Sequence, residues 1–213
     1  MKRTLFSPPL VARPWRSHGQ LLLMIALALL FTASFGTLLR AQSSNCGNLI
    51  ANSGFETSSG WETQSNGAYA LISPYLTRSG AQAAHLGGVN NAKDSLSTTL
   101  TLPTDSQSLT LSFWWLIDSQ EAGSADDGLT LVVADSAGNP LKSLLTLSSA
   151  DAAQRWQESQ LDLRAYAGQT VQLQWLAQTD ETLVTDFFID DVAVTACAAG
   201  SQDFRLFLPI TNR

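Results

Sequence analysis

Two short acidic motifs mark where this chain could do chemistry. Asn52-Ser53-Gly54-Phe55-Glu56 sets a carboxylate two residues after a glycine, and Phe188-Ile189-Asp190-Asp191-Val192 carries an acidic pair near the other end. Calcium takes roughly six to eight oxygen ligands, carboxylates mixed with backbone carbonyls, and suits places where a loop can wrap. Gly54 lets the backbone turn so that its carbonyl and the Glu56 carboxylate could face one ion. Adjacent strand residues face opposite ways, so one of Asp190 and Asp191 is expected to serve the ion and the other to stand in solvent. The competing reading is that Glu56 satisfies backbone donors while the Asp pair marks a strand end.

Catalysis has fewer parts to work with. His85 is the only histidine after the apolar N-terminal run, and its neighbours Ala84 and Leu86 make it a packed or edge histidine rather than a general base. The chain has no Gly-x-Ser-x-Gly elbow, no His-Glu-x-x-His and no phosphate loop. A glycosidase needs only two carboxylates about 5 to 10 Å apart. Glu56, Glu62, Glu121, Glu158 and Glu181 form no acidic cluster with aromatics on one strand face, and most of them read as solvated turn or strand-end residues; Asp126-Asp127 and Asp190-Asp191 stand as acidic doublets. A non-catalytic protein is expected, with a small glycoside hydrolase the least favoured alternative.

The elements that must position these residues begin after an export signal. Lys2, Arg3, Arg13 and Arg16 precede an apolar run from Leu21 to Leu39, so residues 1–41 read as a signal peptide cleaved after Ala41 or, alternatively, as an uncleaved membrane anchor. Without them, seven Lys and Arg face eighteen Asp and Glu, a net charge of −11. That acidity argues against nucleic acid and anionic membrane surfaces as partners and favours divalent cations and neutral polymers. A membrane role remains only if the N-terminal segment stays uncleaved. Cys46 and Cys197 flank the remaining segment, and an oxidising exterior predicts that they pair.

Between the cysteines, short alternating runs are separated by Gly, Asn, Asp, Ser and Pro, the pattern of strands and turns. Strands are predicted at Ala68–Leu76, Ala81–Leu86, Ser95–Leu102, Ser108–Ile117, Leu129–Ala134, Lys142–Leu147, Arg155–Leu163, Thr170–Ala177 and Asp186–Thr195. Leu109, Leu111, Phe113, Trp115 and Ile117 share one face of their strand, and Val171, Leu173, Trp175 and Ala177 repeat the pattern. The prediction is an all-β, antiparallel two-sheet sandwich or jelly roll over residues 42–197, one domain and a monomer, followed by a short tail, 198–213.

Asn48-Leu49-Ile50, the Asn52-to-Glu56 motif, Trp61, Ser79-Gly80 and the closing Phe188-to-Val192 motif together resemble carbohydrate-binding modules of families 4 and 9 and the galactose-binding-like accessory domains of secreted enzymes. The resemblance spans about Asn48 to Thr195. It implies a structural calcium held by the Gly54 carbonyl, the Glu56 carboxylate, a backbone carbonyl near Gln82 and the Asp190 carboxylate, with Ser79 where some relatives offer an acid. It also implies a polysaccharide or cell-surface glycan as partner, stacked on exposed aromatics. Trp114 is the strongest candidate because Ser112 and Thr110 share its face, with Tyr69 and Tyr75 weaker ones. Trp115, Trp175 and Phe187 read as core, and Trp61 and Trp156 as either. The expected function is a secreted glycan-binding module; the alternative is a structural or adhesive envelope domain without a sugar site.

Overall fold

In a computed structural model, residues 45–121 and 125–198 are described; the expected signal segment and all of the expected tail beyond Ala198 lie outside them. The strands are β1 Asn45–Asn48, β2 Glu62–Ser65, β3 Ile72–Ser73, β4 Ala83–Gly87, β5 Lys93–Thr101, β6 Ser106–Ser119, β7 Gly128–Asp135, β8 Pro140–Ser148, β9 Ala153–Asp162, β10 Thr170–Gln178 and β11 Thr185–Ala198. They form two sheets. One runs β3-β4-β11-β6-β9, with β1 also paired to β11; the other runs β2-β5-β10-β7-β8. The pairings are antiparallel, for instance β1 with β11 and β10 with β5 and β7. The predicted two-sheet antiparallel sandwich is therefore the observed one.

Its core is built by alternation. Leu109, Leu111, Phe113, Trp115 and Ile117 of β6 are buried, as are Val171, Leu173, Trp175 and Ala177 of β10 and Phe187, Ile189, Val192 and Val194 of β11. These are the inward faces that period-two patterning predicts. Trp61 joins them, its ring centroid 4.7 Å from Phe55 and 5.8 Å from Trp175, with its indole N–H donating to the Asn52 carbonyl at 2.8 Å.

Three departures from the sequence expectation have local causes. Of Ala68–Leu76 only Ile72–Ser73 pairs as strand; Pro74 lacks an N–H for a ladder and Tyr69 turns its hydroxyl to Asp94. β1 and β2 had no alternation to betray them, because their residues are exposed or half-buried and only pairing with β11 and β5 makes them strands. The third departure is at Asp190-Asp191. The β11–β6 register shifts between Asp190 and Ala193, and Asp191 has φ of 50°, a bulge in which an extra residue breaks the alternation. Both carboxylates therefore reach the same seam instead of opposite faces, Asp190 buried and Asp191 partly exposed.

Candidate functional site

β1 and β4 pair with the same edge of β11, β4 over Asp186–Ile189 and β1 over Thr195–Ala198. The gap between them is closed by the first loop. Ser53 accepts from the Val192 N–H at 2.9 Å through its carbonyl, and Asn48 Oδ1 accepts from the N–H groups of Ile50 and Val194, both at 3.0 Å. The acidic motifs meet at this seam. Glu56 Oε1 accepts from the N–H groups of Ala81 at 2.8 Å and Gln82 at 3.1 Å. Asp190, 0% exposed, accepts from the N–H groups of Arg78 at 2.8 Å and Ser79 at 3.1 Å on Oδ2, and of Asp191 at 2.7 Å on Oδ1. Asp191 takes the Arg78 guanidinium and, at 2.6 Å, the Ser79 hydroxyl. Burial, and to a lesser extent the Asp191 charge, raises the Asp190 carboxyl above the usual range, against the pull of the three backbone donors.

Gly54 sits among these side chains: a Cβ there would lie 3.8 Å from Asp191 Oδ1 and 3.9 Å from Asp190 Oδ1. The structure thus gathers Gly54, Glu56 and Asp190, and brings in Gln82 through its N–H. What it displays is a hydrogen-bonded clasp in which a strap, residues 78–82, donates to the first loop and to the last strand at once.

The three aromatics expected to stack sugars are not brought together. Trp114 lies half-buried on the outer face of the β4-β11-β6 sheet, with the Arg78 guanidinium carbon 3.8 Å above its ring centroid. Tyr75, 74% exposed, stacks on His85 at 5.3 Å and Phe188 at 5.9 Å, in rings inclined by 12° and 16°. His85 also holds Asp186 at 2.6 Å and stacks on Phe188, so it is a packed histidine of β4. Tyr69 packs against the core, and its hydroxyl donates to Asp94 Oδ2 at 2.8 Å. Burial first, then the Asp94 carboxylate, pushes the Tyr69 phenol upward, so it remains a donor.

An open groove of 840 Å³ lies instead on the outer face of the other sheet. Register explains its lining: Gln64, Ser95, Leu176 and Thr130 form a row across β2, β5, β10 and β7, with Gln178 opposite Lys93 and Gly128 one step along the same face. Amides, hydroxyls and a 39% exposed leucine face outward here because Leu96, Trp175, Ala177 and Leu129 take the inward positions. Asp94 lines the groove too; it is 3% exposed, Oδ2 accepts from Tyr69 and the Gly87 N–H, and Oδ1 has no partner among the described residues.

Sequence reading missed this face, since no single motif carries it and only the pairing of four strands assembles it. A further acidic group lies at the strand ends: Glu121 after β6, Asp126 before β7 and Asp180 after β10 each place a carboxylate oxygen within 4.8 Å of the others. Such a cluster is of the kind that can hold a metal ion.

No protein-family model and no curated protein matches the chain. Solved structures do match. A family 61 carbohydrate-binding module in complex with β-1,4-galactotriose is similar at 18% identity and a TM-score of 0.52, over 70% of this chain and 97% of that one. A family 28 module specific for non-crystalline cellulose is similar at 15% identity and 0.48, over 70% and 94%. A family 11 module from Clostridium thermocellum, in complex with a β-1,3-1,4-mixed-linked tetrasaccharide, is similar at 13% and 0.43, over 74% and 98%. The likeness is one of fold, the β-sandwich.

Proposed function

We propose that this domain is a non-catalytic binding module that takes a neutral polysaccharide or cell-surface glycan in the groove on the β2-β5-β10-β7-β8 sheet. The observation that carries the reading is the groove's lining. Gln64, Ser95, Thr130 and Gln178 present amides and hydroxyls that can both donate to and accept from sugar hydroxyls, and Leu176 offers an apolar contact. The acidic balance of the chain supports a neutral ligand over an anionic one. The Cys46–Cys197 bond supports an oxidising, extracytoplasmic location. The pairing of His85 with Asp186 inside an aromatic stack supports a structural rather than catalytic histidine.

One observation favours a second reading, an adhesive or structural domain: among the described residues the groove lining contains no aromatic platform, and the exposed ring of Tyr75 lies on the opposite sheet. Affinity electrophoresis against neutral soluble polysaccharides separates the two. Gln178→Ala and Leu176→Ala should each weaken retardation several-fold and Tyr75→Ala or Trp114→Ala should leave it unchanged. The reverse pattern moves the site to the β4-β11-β6 face, and a folded protein retarded by no glycan removes the reading in favour of adhesion.

For a structural calcium, the seam offers donors of the right type, hard oxygens from Glu56 and Asp190 with Gly54 between them. Glu56 and Asp190, with the carbonyls of Gly54 and Gln82, would hold it, and its charge would offset the cost of burying Asp190. If millimolar calcium exceeds Kd a thousandfold, chelation should remove about 4 kcal/mol of stability; an unchanged chelator melt leaves the seam to its hydrogen bonds alone.

A further inference from the structure

We propose that Glu121, Asp126 and Asp180 form a divalent-cation site of the calcium class that ties the two sheets together at one end of the sandwich. An acidic cluster alone would not argue this. Glu121, however, is only 9% exposed, and its Oε2 has no hydrogen-bond partner among the described residues. A buried carboxylate oxygen without a donor is costly, and a second negative charge held nearby adds to the cost unless a cation compensates both. Beside it, Asp127 is 0% exposed with Oδ2 likewise unpartnered, while its Oδ1 fixes Asp180 by accepting the Asp180 N–H at 2.7 Å. Among the described residues, the ion pairs of Asp191, Asp186 and Asp162 leave all four of these carboxylates without a cationic side chain.

The donor set selects the metal. It contains carboxylates and neither histidine nor cysteine, which favours calcium, magnesium or manganese over zinc and copper. Oxygens on opposite sides of a calcium ion stand about 5 Å apart, since each bond is about 2.4 Å, so donors within 4.8 Å of one another fit around one ion. Three strand ends with irregular geometry suit calcium's flexible shell better than magnesium's strict octahedron. Glu121 follows β6 in one sheet while Asp126 and Asp180 border β7 and β10 in the other, so the ion bridges the sandwich. Asp126 also lines the groove, which sets the ion at the border of the surface proposed for the glycan.

Calorimetric titration of the chelator-stripped full chain with calcium chloride tests this without any glycan, so its outcome is independent of the groove reading. Saturable binding is expected with a component at least tenfold weaker in Asp126→Asn and Asp180→Asn; that component should persist in Glu56→Gln, which removes a seam ligand only, and be unchanged in Glu158→Gln, an exposed acid of β9 in neither site. Asp126 is exposed, so its variant should fold even if a change at buried Glu121 does not. Absence of saturable binding in the wild type, or binding that survives Asp126→Asn and Asp180→Asn but is lost in Glu56→Gln, overturns the proposal.

Discussion

Asp190 is the residue on which the seam turns, because one buried carboxylate satisfies three backbone donors. Replacing it by Ala leaves the N–H groups of Arg78, Ser79 and Asp191 without an acceptor and should cost about 3 kcal/mol in urea unfolding, while Asn, which keeps one acceptor oxygen, should cost about 1 kcal/mol. Its titration has a definite sign. Burial holds the folded carboxyl above its usual value, so the folded state binds the proton more tightly than the unfolded chain does. Its contribution is greatest below the ordinary aspartate value, about 3.9, and is lost as pH rises through the raised folded value. The wild type should therefore lose stability relative to Asp190→Asn across that interval; a flat difference would show that the carboxyl is not raised. Asn48 and Asn52 act beside it in a quieter way, Asn52 by donating to the carbonyls of Thr57 and Ser59 at 2.9 and 2.8 Å, which folds the loop that carries Glu56.

At the scale of elements, the strap 78–82 depends on Gly80. Its φ is +62°, and a Cβ there would lie 2.0 Å from Glu56 Oε1, so Gly80→Ala both strains the backbone and drives Glu56 off the Ala81 and Gln82 N–H groups. A loss of about 2 kcal/mol is expected, and the loss should shrink when Glu56→Ala is already present, because the two changes remove the same contacts. Equal losses in both backgrounds would separate the strap from Glu56. The long strands were legible in the sequence because β6 and β10 bury alternate residues, and so were the ends of the seam, whose acidic motifs meet as expected. The bulge at Asp190-Asp191 was not legible, since strict alternation is the rule it breaks. The groove was hidden for a different reason: Gln64, Ser95, Leu176 and Thr130 are far apart in sequence and become neighbours only through register.

For the whole molecule, Cys46 and Cys197 oppose each other in the β1–β11 ladder and close a loop across a sequence separation of 151. In the chain-entropy view such a link stabilises by about 5 kcal/mol, acting on the unfolded chain more than on the sandwich. Cys46→Ser with Cys197→Ser should lower the melting temperature while leaving the tryptophan emission of the folded state unchanged, since β1 is exposed and Trp61 and Trp175 pack elsewhere. A changed native spectrum would mean that the bond shapes the core. The same pairing places Asn45 directly opposite Ala198, so the described chain enters and leaves at one point. Tension applied to the chain outside the two cysteines passes from one sulfur to the other and bypasses the strands between them. The sandwich then hangs from the line of force like a bead on a side loop, and a pull that would peel an uncrosslinked β1 from β11 leaves the groove and its lining unstretched.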